Sequence, residues 1–287
     1  MNDYNKERNE MKIYIMADGE GISGVVHSSE MHQSGERHDE FRKLMTKDVN
    51  AAIEGAFQGG ATEVVVNDAH WSMLNIIYED LDERAEIIRG GNKRDSMMEQ
   101  VAGFDGALYI GLHAKVGHSH GVANETLIGP AMHEMRMNGH PVGELEMNAA
   151  IAGHYGVPVL MVSGDDMLKE EAEEVLGSVE TAVVKKSIDR WSARCLSMPK
   201  AHHEIITKAK NAVKRIEQFK PYEVSGSVEF EIEWTSTAEC KRANLIPGSY
   251  MKSPRVIAYK ADNYYDAWRG IHACLNLGET GFDSIYG

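Results

Sequence analysis

Three segments of this chain read as β-strands that run straight into side chains able to bind a metal ion. Lys12–Ala17 (KIYIMA) leads into Asp18-Gly19-Glu20, residues 62–66 (TEVVV) into Asn67-Asp68-Ala69-His70, and residues 107–110 (ALYI) into Gly111-Leu112-His113. In open α/β sheets, ligands bind in the crevice beyond the carboxyl ends of the strands. Two carboxylates and two imidazoles delivered there make a mixed oxygen and nitrogen donor set, which suits Zn²⁺ and its neighbours better than Ca²⁺, Mg²⁺ or an iron–sulfur cluster. A dinuclear site takes about three protein ligands per metal, usually with a bridging carboxylate, and holds its ions roughly 3.5–4 Å apart around an activated water. Asp18, Glu20, His70 and His113 supply four groups. A fifth candidate is Glu144, in Pro141-Val142-Gly143-Glu144 at the start of an expected helix, where it also reads as a charge favoured by the helix dipole. Taken singly, His70 and His113 each read as structural histidines. Four ligand-type residues at three strand ends are harder to explain as packing. Among the remaining histidines, His118 and His120 stand out because they follow His113 in a loop at the same end of the sheet; the others read as surface or loop residues.

The elements that must position these groups alternate along the first half of the chain. Residues 36–58 carry Phe41, Leu44, Met45, Val49, Ala52, Ile53 and Ala56 at helical spacing and end at Gly59-Gly60, a helix stop. A short strand is expected at 85–89, a helix over 93–101, a strand at 106–110 and a helix over 145–155 with Gly156 as its stop. Residues 157–162 (VPVLMV) are almost purely apolar, as in the centre of a parallel sheet covered on both faces. A helix with an acidic start follows over 165–176. The second part differs. A long amphipathic helix over 199–219 precedes Val228–Trp234 (VEFEIEW), which alternates apolar and acidic residues as a half-exposed strand does. A further strand at 255–261 and a closing helix over 263–277 complete the pattern. The expectation is an α/β fold with a mostly parallel central sheet flanked by helices and a smaller carboxyl-terminal α+β portion. It divides the chain into a loose extension at 1–11, an α/β metal-binding domain at 12–190 and the smaller portion at 191–287.

Composition narrows the function. At 287 residues, with 43% hydrophobic and 26% charged residues, the chain can bury a real core and has an ordinary balance for a soluble enzyme. A net charge of −14 argues against nucleic acid or an anionic membrane as partner. No apolar run approaches the roughly 18 residues of a membrane span, and the polar start MNDYNKERNE lacks the apolar stretch of a secretory signal. Cys195, Cys240 and Cys274 form no CxxC pair and no complete disulfide framework, so a reducing cytoplasm is expected, with the thiols free and buried.

Gly19-Glu20-Gly21-Ile22-Ser23-Gly24 matches the G-x-G-x-x-G dinucleotide fingerprint directly after a strand. Charge rejects it: Asp18 and Glu20 would point two carboxylates at a pyrophosphate in a loop that serves to attract anions. No helix starts after Gly24, and an acidic residue about 20 residues on would fall inside the 36–58 helix. The glycines more simply let the backbone turn tightly, so that two carboxylates converge on a cation.

These motifs, in this order, resemble those of the D-aminopeptidases encoded with bacterial dipeptide-transport genes. The family's D-x-E-G matches Asp18 to Gly21, followed by Ile22-Ser23-Gly24. Its V-N-D-x-H matches Val66 to His70, its G-x-H-A matches Gly111 to Ala114, and its P-V-G-E matches Pro141 to Glu144. Its V-P-V-L-M-V-x-G-D-D matches Val157 to Asp166. The resemblance runs from Met11 to about Leu277. It implies two zinc ions per subunit with Asp18, Glu20, His70, His113 and Glu144 as ligands, and hydrolysis of short peptides with a D-residue at the amino end. It also implies a homodecamer of two stacked five-membered rings around an inner chamber.

One departure matters. The family carries a catalytic histidine in G-V-M-x-H, and the matching segment here is Gly121-Val122-Ala123-Asn124-Glu125, after a loop one residue longer. Three readings stand open. Glu125 serves as the general base, as carboxylates do in zinc peptidases with H-E-x-x-H. Alternatively His118 or His120 takes that role, or the chain has lost the activity or acts on another amide. Asn124 reads either as a donor to a developing oxyanion or as a solvent-facing loop residue. The expected partner is a small peptide or amide substrate. The rival readings are an amidase on a non-peptide amide and a metal-binding homologue without catalysis.

Overall fold

The computed structural model describes residues 10–284, so most of the extension expected at 1–11 lies outside the described residues. The central sheet is formed by β1 (Lys12–Ala17), β2 (Glu63–Asp68), β3 (Ala85–Ile88), β4 (Gly106–Ile110), β7 (Val159–Asp165), β8 (Glu180–Asp189) and β9 (Ser192–Cys195). Its order is β3-β2-β1-β4-β7-β8-β9. Every neighbouring pair is parallel except β8 and β9, which form an antiparallel hairpin. The chain builds outward from β1 through β2 to β3, then returns to place β4 on the other side of β1. The strand order therefore reverses between β1 and β4, the point where an open α/β sheet leaves its ligand crevice.

Helix α2 (His38–Gly59) follows the one-turn α1 (Ser28–Met31) and buries Phe41, Met45, Val49, Ala52, Ile53 and Ala56. It ends at Gly60, whose φ of 115° is open to glycine and costly for other residues. With α5 (Met198–Lys214) it covers one face of the sheet, around Ile13, Ile15, Leu108, Ile110, Leu160 and Val184. The other face receives α3 (Glu144–His154) and α4 (Asp166–Leu176). Beyond them lies a second, antiparallel sheet of β5 (Met132–Met137), β6 (His140–Pro141), β10 (Val228–Trp234), β11 (Ser249–Ser253) and β12 (Val256–Ala261), ordered β11-β12-β10-β5-β6. Helices α6 (Thr237–Ala243) and α7 (Tyr264–Glu279) pack on it. The alternation in β10 is as expected, with Val228, Phe230, Ile232 and Trp234 buried and the glutamates between them half-exposed.

One expectation needs correction. The helix over 93–101 is only a 3₁₀ turn at Ser96–Met98. Tertiary hydrogen bonds claim the carbonyls a helix would use: Tyr14 donates to the Glu99 carbonyl at 2.8 Å and Asn67 to the Met97 carbonyl at 2.6 Å. Ser96 and Gln100 consequently sit at φ 51° and 62°. Sheet membership crosses residue 190. Strands β5 and β6, from before it, belong to the antiparallel sheet, while β9 and α5, from after it, belong to the central one. All three cysteines are free; Cys240 and Cys274 are buried, but Cys195, at the end of the β8–β9 hairpin, is exposed. Among the described residues no helix is long and apolar enough to cross a membrane.

Candidate metal centre

The crevice beyond β1, β2 and β4 gathers the ligand-type residues. The Asp18 amide still pairs with the Ile110 carbonyl at 2.8 Å, so β1 carries its sheet register into the first ligand. The chain then turns through Gly19 and Gly21. A Cβ on Gly19 would stand 2.7 Å from the His70 ring, and one on Gly21 would stand 2.0 Å from the Leu112 carbonyl oxygen. These glycines allow β1, β2 and β4 to converge rather than a phosphate to approach. Gly21→Ala is therefore expected to destabilise the fold by about 1–3 kcal/mol, read as a lower urea midpoint.

His70 is set by the loop that follows β2. The buried Asp68 carboxylate accepts from the Asn75 amide at 2.6 Å, the Asn75 side chain at 3.0 Å and the Ile76 amide at 2.8 Å. Asn75 also donates to the His70 carbonyl at 2.6 Å. Asp68 thus shapes the loop, and His70 alone of the pair faces the crevice, with the edge of Phe41 packed against its ring. His113 places Nδ1 3.0 Å from the Ala114 carbonyl, so Nδ1 carries a proton and Nε2 faces the carboxylates, with its lone pair free for a metal once the ring is neutral. Glu144 opens α3, and one of its oxygens accepts from the Leu127 amide at 2.7 Å.

The geometry makes Asp18 the shared member. Its Oδ1 lies 3.3 Å from His70 Nδ1, which is also 3.2 Å from Glu20 Oε2. Its Oδ2 lies 3.5 Å from His113 Nε2, which is also 3.5 Å from Glu144 Oε1. Asp18, Glu20 and His70 form one group with ligand atoms within 4.8 Å of one another; Asp18, His113 and Glu144 form a second. Glu20, His113 and Glu125 form a third. Asp18 Oδ2, Glu20 Oε2 and His113 Nε2 are all buried without a hydrogen-bond partner. Buried polar atoms are ordinarily satisfied, so this cluster is arranged for something other than protein hydrogen bonds.

Electrostatics point the same way. Burial, then repulsion from Glu20, pushes the Asp18 carboxyl up to about 7. Burial and the neighbouring Glu20 likewise push Glu125 up to about 8. Burial opposes the charge on Glu20 too, but the adjacent His70 and His113 outweigh it and hold Glu20 at about 2. Burial also opposes protonation of the imidazoles. Glu20 and Asp18 beside His70, and Glu144 and Asp18 beside His113, overcome it and raise both well above the usual histidine range. Among the described residues no lysine or arginine side chain forms an ion pair with Asp18, Glu20, Glu125 or Glu144. Four crowded carboxylates and two imidazoles, without a lysine or arginine counter-ion, fit divalent cations.

The other candidates separate. Glu125 joins the cluster. His120 is exposed, with Nδ1 on Ser119 Oγ at 2.8 Å, and stands outside all three groups, so the loop histidine closest in sequence to Glu125 does not reach the crevice. His118 is also outside them, half-buried with Nδ1 unpaired. Asn124 is buried rather than solvent-facing, and its side-chain amide donates to the His118 carbonyl at 2.6 Å. That hydrogen bond braces the loop. Sequence reasoning missed Lys185, which is 1% exposed and donates to the carbonyls of Glu20, Ile22 and Val25 at 2.5, 3.2 and 2.6 Å. The one signal was a lysine directly after Val183-Val184.

Comparison with known proteins adds three findings. The D-aminopeptidase family model matches residues 11–273. A D-aminopeptidase of Bacillus subtilis (strain 168) is 36% identical over 269 residues, covering 93% of this chain and 97% of that one. A solved structure of the Zn-dependent D-aminopeptidase DppA from Bacillus subtilis, described as a self-compartmentalizing protease, superposes with a TM-score of 0.90 at 35% identity, covering 94% of this chain and 98% of that chain. With the motifs in order and the match running nearly end to end, this chain belongs to the D-aminopeptidase family.

Proposed function

We propose that this protein is a zinc-dependent hydrolase that removes a D-residue from the amino end of short peptides. The observation that carries the reading is Asp18 shared between two buried three-ligand groups. Asp18, Glu20 and His70 would hold one ion, and Asp18, His113 and Glu144 a second, giving two zinc ions per subunit. Bound zinc supplies Lewis acidity, lowering the pKa of water toward neutrality and polarising a carbonyl oxygen.

The chain's own residues do the rest. Glu125 reaches the cluster beside Glu20 and His113, takes the proton of the attacking water and returns it to the leaving amine. Burial and the neighbouring Glu20 raise Glu125's proton affinity. Asn124, through the His118 carbonyl, fixes the loop from which Glu125 projects. The anionic crevice favours the free ammonium group that marks the amino end of a peptide.

The assembly proposed is a decamer of two stacked five-membered rings acting in the cytoplasm. The self-compartmentalizing character of the similar solved structure supports a closed oligomer, and free cysteines accord with a reducing compartment. Sedimentation should then give about ten times the 31.9 kDa of one chain. The test of function is release of free D-alanine from D-Ala-D-Ala and of ammonia from a D-amino-acid amide, by purified protein loaded with zinc, against the L-enantiomers. Turnover of the D-substrates alone supports the reading. Turnover of non-peptide amides only would make the protein an amidase. Zinc binding with no turnover of any amide would overturn the reading.

A further inference from the structure

Lys185 takes no part in the chemistry above, yet it is an ammonium group removed from water and bonded to three main-chain carbonyls of one turn. That turn, from Glu20 to Val25, overlaps the G-x-G-x-x-G segment of residues 19–24 that follows Asp18. Its carbonyls point inward at a cation, whereas a phosphate loop turns its amides toward an anion. Asp48 on α2 holds the same turn from the other side, accepting from the Ser23 amide at 2.8 Å. Lys185 belongs to β8, and the same strand runs on to the opposite wall of the crevice. The Ser187 hydroxyl donates to the His120 carbonyl. Just past the strand, the Arg190 carbonyl accepts from the Ala123 amide at 2.7 Å and its guanidinium donates to the Asn124 carbonyl at 3.0 Å. Six residues of one strand and its turn therefore grip the metal-ligand turn at one end and the Glu125 loop at the other.

We propose that β8 is the common frame of the reaction centre, with Lys185 positioning the Asp18–Glu20 turn for metal binding and Ser187 and Arg190 positioning the loop that presents Glu125. This rests on the hydrolase reading, and neither end acts on substrate directly. The physical reason is rigidity: Lys185 is paired with Asp165 of β7, and residues from Lys185 to Asp189 are paired with β9, so the strand sets the separation between the two loops.

The two ends make different predictions for the full-length, zinc-loaded protein. In Lys185→Met, zinc affinity measured by chelator competition should fall about 10–100-fold, and saturating zinc should restore most of the activity. In the Ser187→Ala/Arg190→Ala double variant, zinc affinity should stay within about twofold of the parent while kcat falls about tenfold, the scale of two modest hydrogen bonds. Should the methionine variant not fold, Lys185→Gln keeps amide donors and is expected to weaken zinc binding to a smaller extent. The melting temperature in excess chelator is the control for a merely structural role. The inference is overturned if both variants lower that temperature while leaving zinc affinity and kcat intact, or if both move the same one of those two readouts. Parent protein that binds zinc but hydrolyses no amide would instead defeat the hydrolase reading, and the zinc-affinity arm would still report on Lys185.

Discussion

Glu125→Gln is expected to lower kcat by about 10²–10⁴-fold, the usual weight of a general acid–base group, with zinc content unchanged. The substitution removes the proton acceptor and keeps the shape. Glu125 stands within the Glu20 and His113 group, and a Cβ on Gly129 would meet its carboxylate at 2.6 Å, so the loop already fits the side chain closely. Glutamine should occupy the same space. Metal content by elemental analysis and kcat on a D-peptide decide the matter. Full activity with zinc retained would remove Glu125 from the mechanism and leave His118, whose Nδ1 is buried and unpaired, as the next candidate to test. Glu125→His tests the departure from the family pattern: partial activity would show that the crevice still accepts an imidazole at that position.

The second large effect concerns the metal itself. His113→Ala, or exhaustive dialysis against a chelator, is expected to reduce hydrolysis by at least about 10³-fold, because the several kcal/mol that a metal contributes to transition-state stabilisation correspond to about that factor. His113 belongs to two of the three ligand groups, so its loss reaches both sides of the centre. Re-addition of zinc should restore the dialysed protein and not the variant. Affinity should also depend on pH with a definite sign. Without metal, the carboxylates around His70 and His113 outweigh burial and hold their protons above the usual histidine range, and Asp18 rises to about 7. Those protons must leave before the donors bind metal. Zinc affinity is thus expected to rise steeply from about pH 6 to pH 8, measured by competition with a chelator whose own protonation is corrected for. A flat profile would mean that the cluster is not the binding site.

Much of the architecture was legible because its signals are local. Apolar spacing marked α2 and the strands β1, β2, β4 and β10, and Gly59-Gly60 marked the end of α2. Strand β8 and its hairpin partner β9 were not marked. Glu180–Asp189 mixes lysine, serine and aspartate with only a short apolar run, because it spends its side chains on loops distant in sequence rather than on one buried face. The 93–101 segment failed for a related reason: its backbone answers to Tyr14 and Asn67, which sequence proximity cannot reveal.

The sequence by itself determined the donor chemistry: acidic and imidazole groups at the ends of apolar strands, glycines where the backbone must turn, and a glutamate at 125 where the resemblance leads one to expect histidine. Strand termini of a parallel sheet converge on one edge, so residue type and strand position sufficed. Only the tertiary structure decided that Asp18 is shared between two groups, that Asp68 and Asn124 brace loops, that His120 stands outside, and that Lys185 holds the ligand turn. Those outcomes depend on where the reversal between β1 and β4 leaves its crevice and on which carbonyls burial leaves without partners, properties of distances between residues far apart along the chain.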